Sequence, residues 1–419
     1  MSHSKVLWIA FLSLAAHSAA QSPATLTTIL NFDTTPVGLP ETGVVIGRDG
    51  VLYGTAGWPP GYAVYSLTPP AEPGGTWTYA TLYQTTGAQV STTVTSAPGL
   101  AIGEDGVIYG ASNRVVNTAC DTPCGYIFSL TPPAAPGGVW TETTLYSFTG
   151  GADGSGPAAG VTIGPGGALY GPALGGAGKA GTIFSLTPPA SPGSAWTETT
   201  LYSFGRGKDG RTPSGPLVMD KRGVLYGTTY RGGASNNGVV FSLTPPLSPG
   251  GAWTETILHQ FTSDGAKPAG LLLATGPGGQ PVLYGLAHAA PSDGTIFYSL
   301  TPPASPGGRW SEAVLHTFPR SYGLAPGPLV QGSNGVFYGS TFSGGAQLSG
   351  SLFALISPQS AGSAWTFRDL YDFPAGFAVP GGNFPYVGEI LAVGPNGMIY
   401  GTTYGGGPYN FGTVFTLRP

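Results

Sequence analysis

The sequence predicts an all-β protein, a seven-bladed β-propeller of four-stranded antiparallel blades, and three observations carry that prediction. First, one phrase recurs seven times: VLYG (51–54), VIYG (107–110), ALYG (168–171), VLYG (224–227), VLYG (282–285), VFYG (336–339) and MIYG (398–401). Its tyrosines, Tyr53, Tyr109, Tyr170, Tyr226, Tyr284, Tyr338 and Tyr400, are spaced by 56, 61, 56, 58, 54 and 62 residues. Second, TETTLYSF stands at 141–148 and again at 197–204, each time behind a Trp, and looser copies follow Trp77, Trp253, Trp310 and Trp365. Third, each unit holds four short runs rich in Val, Ile, Tyr, Phe, Trp and Thr, bounded by Gly, Pro and Asp, which is strand and turn chemistry. Four strands per repeat at a period of this length is the pattern of a propeller blade.

Taken in order, the chain opens on MSHSK, an apolar run VLWIAFLSLAA (6–16) and HSAA, the three-part plan of a secretory signal peptide cleaved after Ala20. The mature chain, 21–419, then reads as a single propeller. Residues 24–32 (ATLTTILNF) resemble the TTLYSF phrase and supply the outer strand of blade 7. Blades 1 to 6 occupy about 43–85, 99–148, 160–204, 215–261, 270–318 and 327–373, and residues 388–417 supply the three inner strands of blade 7. Pairing the N-terminal strand with the last one closes the ring and removes an exposed sheet edge.

The 71 glycines and 41 prolines read as turn residues, because they punctuate a periodic chain whose apolar share is 41%. Only 8% of residues are charged and the net charge is −4, so no basic field is expected for a nucleic-acid backbone or anionic lipid. After cleavage no apolar run is long enough to span a bilayer, so no membrane insertion is expected. In an exported chain the two cysteines, Cys120 and Cys124, are expected to form a disulfide across a small loop. Zinc lacks ligands there, since His259, His288 and His316 are remote in sequence.

LYGTT, a following GG, GTVF and LYSF at this period resemble the GloVer-type (Gloeo/Verruco) tandem repeat of exported bacterial proteins. The resemblance covers nearly the whole mature chain and implies export and a propeller-like body, often with a variable C-terminal surface anchor. This chain departs from that pattern by stopping at the last repeat strand. The resemblance implies no defined activity.

Candidate site residues fall on the face formed by the second-to-third and blade-to-blade loops, which vary in length and chemistry as binding loops on a rigid scaffold do. The third residue beyond each YG Gly is aromatic in blades 4 to 7, namely Tyr230, His288, Phe342 and Tyr404, and blade 1 adds Trp58. With Arg231 these residues form a candidate arc for stacking on sugar faces, or alternatively a seal between blades. Asp153, Asp209 and Asp264 follow successive outer strands and are candidates for metal binding or acid–base work, while Asp-Gly is also ordinary turn chemistry. Glu142, Glu198, Glu255 and Glu312 read as solvated outer-strand positions, and His259 and His316 as packing variants of Tyr146 and Tyr202.

No GxSxG or HExxH pattern occurs and no catalytic residue or cofactor is assigned. The expected function is that of a monomeric, secreted, extracellular or periplasmic binding module for glycan or another extracellular polymer. A polysaccharide lyase or hydrolase with acids at the channel mouth is the alternative, and a structural envelope protein a further one.

Overall fold

The computed structural model describes residues 24–419 except 34–37, 59–60, 85–98, 113–123, 136, 192, 206–207, 249, 263–264, 276–279, 289–293, 306, 319–326, 359–362, 377–381 and 386–390. The expected signal peptide and Cys120 therefore lie outside the described residues, as do Asp264 and the side chain of Trp58.

Seven antiparallel sheets follow one another around a ring, each ordered from an innermost to an outermost strand. Blade 4 is the most complete, with strands Gly210–Met219, Leu225–Gly232, Val239–Thr244 and Thr254–Gln260. The Gly of its YG phrase lies under the ring of the third strand: a Cβ on Gly227 would come within 2.6 Å of Phe241. Every blade repeats this contact, Gly54 under Tyr65, Gly110 under Phe128, Gly171 under Phe184, Gly285 under Tyr298, Gly339 under Phe353 and Gly401 under Phe415. The YG and GTVF phrases are thus two halves of one contact, in which a missing side chain makes room for a buried ring.

The outer strand carries a bulge in all seven blades. In blade 2 Thr144 pairs with Phe128 and Tyr146 with Ile127, which leaves Leu145 unpaired. The same position is skipped at Ile29, Leu82, Leu201, Leu258, Leu315 and Leu370. An extra residue of this kind bends the strand and increases its right-handed twist, which suits the rim of a blade. Beyond the bulge the phrase ends on a buried Phe, such as Phe148, Phe204, Phe261 and Phe373. The Phe204 N–H donates to Gly181 O and the Phe261 N–H to Gly238 O, which ties the outer strand to the loop entering the third.

The innermost strand begins earlier than the sequence suggests, at Leu39, Gly156, Gly210, Ala266 and Asn383 in blades 1, 3, 4, 5 and 7. Its first half contains Pro40, Pro157, Pro213, Pro268 or Pro385, which read locally as breakers but are tolerated on a strand that is the edge of its sheet. Each of several prolines packs on a glycine of the preceding blade, Pro213 against Gly181, Pro268 against Gly238, Pro385 against Gly350 and Pro40 against Gly412.

There is no single core. Seven apolar clusters each fill one seam between consecutive blades. A ring pair recurs across them, the YG tyrosine of one blade edge-on or tilted to the Trp of the next: Tyr53–Trp140, Tyr109–Trp196, Tyr170–Trp253, Tyr226–Trp310, Tyr284–Trp365 and Tyr400–Trp77.

The ring closes as expected. Thr25–Asn31 pairs antiparallel with Thr413–Arg418, Thr25 opposite Arg418 and Asn31 opposite Thr413. Phe32 then donates its N–H to Gly412 O and sets its ring edge-on to Tyr65 of blade 1, centroids 5.5 Å apart. Among the described residues no helix is long and apolar enough to cross a membrane.

Candidate functional site

The second-to-third loops prove more uniform than their sequences imply. In blades 3, 4, 6 and 7 a residue with positive φ (Lys179, Asn236, Leu348, Asn410) occupies the same place. Its N–H bonds back three residues, to Gly176, Gly233, Gly345 and Gly407. The closing Gly of each loop donates to the Gly that opens it, as in Gly238 N–H to Gly232 O at 3.1 Å. These four loops share one backbone device carrying different side chains, while in blade 1 the two strands pair out to Trp58 opposite Gly61.

Tyr230, Phe342 and Tyr404 sit at the entrance to this device in blades 4, 6 and 7, and His288 ends the second strand of blade 5. Tyr230 and Tyr404 are 37% and 47% exposed, while His288 and Phe342 are half-buried. Arg231 follows Tyr230 and is exposed. Trp58 ends the second strand of blade 1, opposite Gly61. None of the four described rings is fully buried. Lys267, at the start of blade 5, places its Nζ 5.3 Å from the centroid of the Tyr230 ring. Burial, with the Lys267 charge adding to it, holds the His288 imidazole below its ordinary pKa. One exposed ring was missed in the sequence: Tyr409, 61% exposed, stands at the tip of the blade 7 loop, where only its place between two glycine clusters could have pointed to it.

The carboxylates are placed differently. Asp153 is buried and accepts hydrogen bonds from Tyr146 Oη (3.0 Å), Thr149 N–H (2.7 Å) and Thr149 Oγ1 (2.6 Å). Asp209 is buried likewise and accepts from Tyr202 Oη, Gly205 N–H and Gly210 N–H. Each carboxylate is engaged by its own blade-to-blade loop, as a turn-capping Asp is. Among the described residues no group of three His, Cys, Asp or Glu side chains is arranged to hold a metal.

The outer-strand glutamates are not the solvated positions expected of them. Glu142, Glu198, Glu255 and Glu312 are all half-buried. Burial raises the Glu142 and Glu198 carboxyls, and burial with the nearby Asp209 charge pushes Glu255 up to about 7. His259 and His316 do pack as Tyr146 and Tyr202 do, edge-on to the Phe two residues on, at 4.7 Å in both blades. Cys124 is buried in the seam between blades 2 and 3.

The repeat itself matches the Gloeobacter/Verrucomicrobia repeat over residues 59–297. The chain belongs to that family. A comparison with curated proteins gives no match. Among solved structures, a protein from Lactobacillus plantarum is 14% identical, with 79% of this chain and 84% of that one covered and a TM-score of 0.51. At that identity the likeness is one of fold. A putative oxidoreductase (glucose dehydrogenase) from Thermus thermophilus is 17% identical over 94% of this chain and 100% of its own, with a TM-score of 0.44. The PQQ-bound aldose sugar dehydrogenase from Streptomyces coelicolor is 15% identical over 80% and 99%, with a TM-score of 0.46. Superpositions that loose carry no argument about activity in this member of the repeat family.

Proposed function

We propose that this chain is an exported, non-catalytic binding module that holds a glycan or a related extracellular polymer on the loop face of the propeller. The observation that carries the reading is where the exposed rings lie. The protein's rings are otherwise largely packed in the blade seams, yet Tyr230, Tyr404 and Tyr409 stand exposed on this one face. Leu174 and Leu348 are exposed at the equivalent loops of blades 3 and 6. A flat ring held by a rigid loop stacks on a sugar at little entropic cost. The buried, hydrogen-bonded state of Asp153 and Asp209 supports binding over acid–base chemistry, which needs carboxylates that reach the substrate.

The test is binding of the purified mature chain to a panel of soluble polysaccharides, with Tyr230→Ala and Tyr404→Ala beside it. The expected result is affinity for at least one polymer that each variant weakens about 10- to 100-fold with an unchanged melting temperature. Affinity untouched by both substitutions, or reducing ends released from a polymer by the chain, would overturn the reading.

A further inference from the structure

The low overall charge conceals a local concentration of cations. Lys179, Lys208, Arg211, Arg231 and Lys267 are all exposed, and all belong to the loop face of blades 3, 4 and 5. Lys179 is the positive-φ residue of the blade 3 loop, and that loop's Ala180 O accepts the Thr212 N–H at 2.6 Å, next to Arg211. One blade further on the same device recurs: Asn237 O accepts the Lys267 N–H at 2.7 Å. The five side chains are therefore carried by loops hydrogen-bonded to one another.

Two features of this cluster work against the fold. Arg211 pairs directly with Arg231 across the first two strands of blade 4, and like charges directly opposite one another in a ladder are destabilising. Lys267 has φ of 52°, a left-handed conformation that a non-glycine side chain seldom takes. None of the five makes an ion pair among the described residues, whereas on the opposite face Arg222 pairs with Asp220 at 2.7 Å. Asp209 makes no ion pair with them among the described residues, and its oxygens accept from Tyr202 and backbone N–H groups.

Resting on the reading of the loop face as a glycan site, we propose that the polymer it holds is an acidic polysaccharide. Its carboxylate or sulfate groups are gripped by Arg211 and Arg231, with Lys267 beside them, and its sugar ring lies on Tyr230. Guanidinium forks match the two oxygens of such groups, and an unneutralised pair is what a planar anion satisfies. Among the described residues the cations of this face end at Lys267 in blade 5. Exposed Tyr404, Tyr409 and Leu348 continue the face, so the surface suits a chain that carries occasional charge on apolar sugar faces. A nucleic acid, with a charge at every phosphate, needs a longer basic track.

The experiment measures binding of the full mature chain to polygalacturonate and its methyl ester, to dextran sulfate and dextran, and to single-stranded DNA, in salt rising from about 50 to 500 mM. Expected is binding to polygalacturonate or dextran sulfate, weakened by salt, lost in the uncharged counterpart, and about 10- to 100-fold weaker in Arg211→Gln/Arg231→Gln. The double variant should melt no lower than the parent, since it removes a repulsion. Equal affinity for charged and uncharged counterparts, or for neutral polymers alone, would overturn the acidic ligand and leave the glycan site standing. Tighter binding to DNA than to either acidic polysaccharide would also overturn it. Binding to no polysaccharide would end both readings.

Discussion

Tyr400 of the last blade lies edge-on to Trp77 of the first, ring centroids 6.0 Å apart and planes at 70°, so the same contact that joins neighbouring blades also joins the two ends of the chain. Around the ring it is missing in one place. In the seam of Tyr338 of blade 6, Ala24 stands at the start of the outer strand where the other blades have a Trp, and both belong to the cluster that fills that seam. The seam between blades 6 and 7 therefore depends more on the strand itself than on a ring pair.

Removing that strand should open the ring. Deletion of residues 24–32 strips the pairing partner from Thr413–Arg418 and withdraws Phe32 from Tyr65. Exposed backbone and apolar side chains together favour edge-to-edge association. The expected outcome is a lower melting temperature with oligomers in gel filtration, and a monomeric profile with unchanged melting would contradict it.

The YG glycine makes a sharper test of the blade interior. Gly227→Ala would set a Cβ at 2.6 Å from the Phe241 ring and 2.8 Å from Leu217, both fully or nearly fully buried. Overpacking of this kind should cost about 1 to 3 kcal/mol in denaturant unfolding. Gly227→Ala/Phe241→Leu should recover part of the loss, because the ring that blocks the methyl is gone.

How much of this was legible in the sequence depended on whether a feature repeats. The YG tyrosines and LYSF phrases gave the blade number and the displaced outer strand, because each copy confirms the others. The bulge at Leu145 and its equivalents was hidden, since TETTLYSF alternates smoothly and nothing local marks the unpaired residue. The early start of the innermost strand was hidden by Gly156–Pro157 and Pro213, which signal turns unless the edge position is known. At the site, Tyr230 and Tyr404 could be placed on the loop face by register, but the basic cluster could not, because Lys179, Arg211 and Lys267 share that face only through the stacking of blades 3, 4 and 5. Glu255 was misread for the same reason: alternation along its own strand says nothing of the blade that covers it.

The disulfide between Cys120 and Cys124 is expected in protein from an oxidising compartment. Cys124 is buried at the blade 2 seam, so a bridge there would anchor the loop that precedes Tyr126, whose hydroxyl lies 2.5 Å from that of Tyr62 in blade 1. Mass measurement after alkylation, with and without reductant, should differ by two labels. The double Ser variant should lose about 2 kcal/mol. Two labels without reductant would refute the bridge.

Glu255 should make stability fall as pH rises. Its Oε1 is buried with no hydrogen-bond partner among the described residues, and burial, then the Asp209 charge, pushes its carboxyl up to about 7 from an ordinary 4.5. Below 4.5 the group is protonated in both folded and unfolded chains and costs nothing. Between those values the unfolded chain gives up its proton while the folded chain retains it, so stability declines until the folded group also ionises. Glu255→Gln removes the proton from the balance. The variant should match the parent near pH 4.5 and exceed it at pH 8 by roughly 1 kcal/mol, once solvent screening of a half-exposed side chain is allowed for. His288 and His316, both lowered mainly by burial, act in the opposite sense, their stabilisation being lost as pH falls below 6.5. The difference between variant and parent, measured by urea unfolding at each pH, cancels those histidine contributions and isolates the glutamate. An advantage for Glu255→Gln that is the same at pH 4.5 and pH 8 would mean that folding leaves the carboxyl's pKa at its unfolded value, and the seam would then have to hold a charge at pH 8 that its burial disfavours.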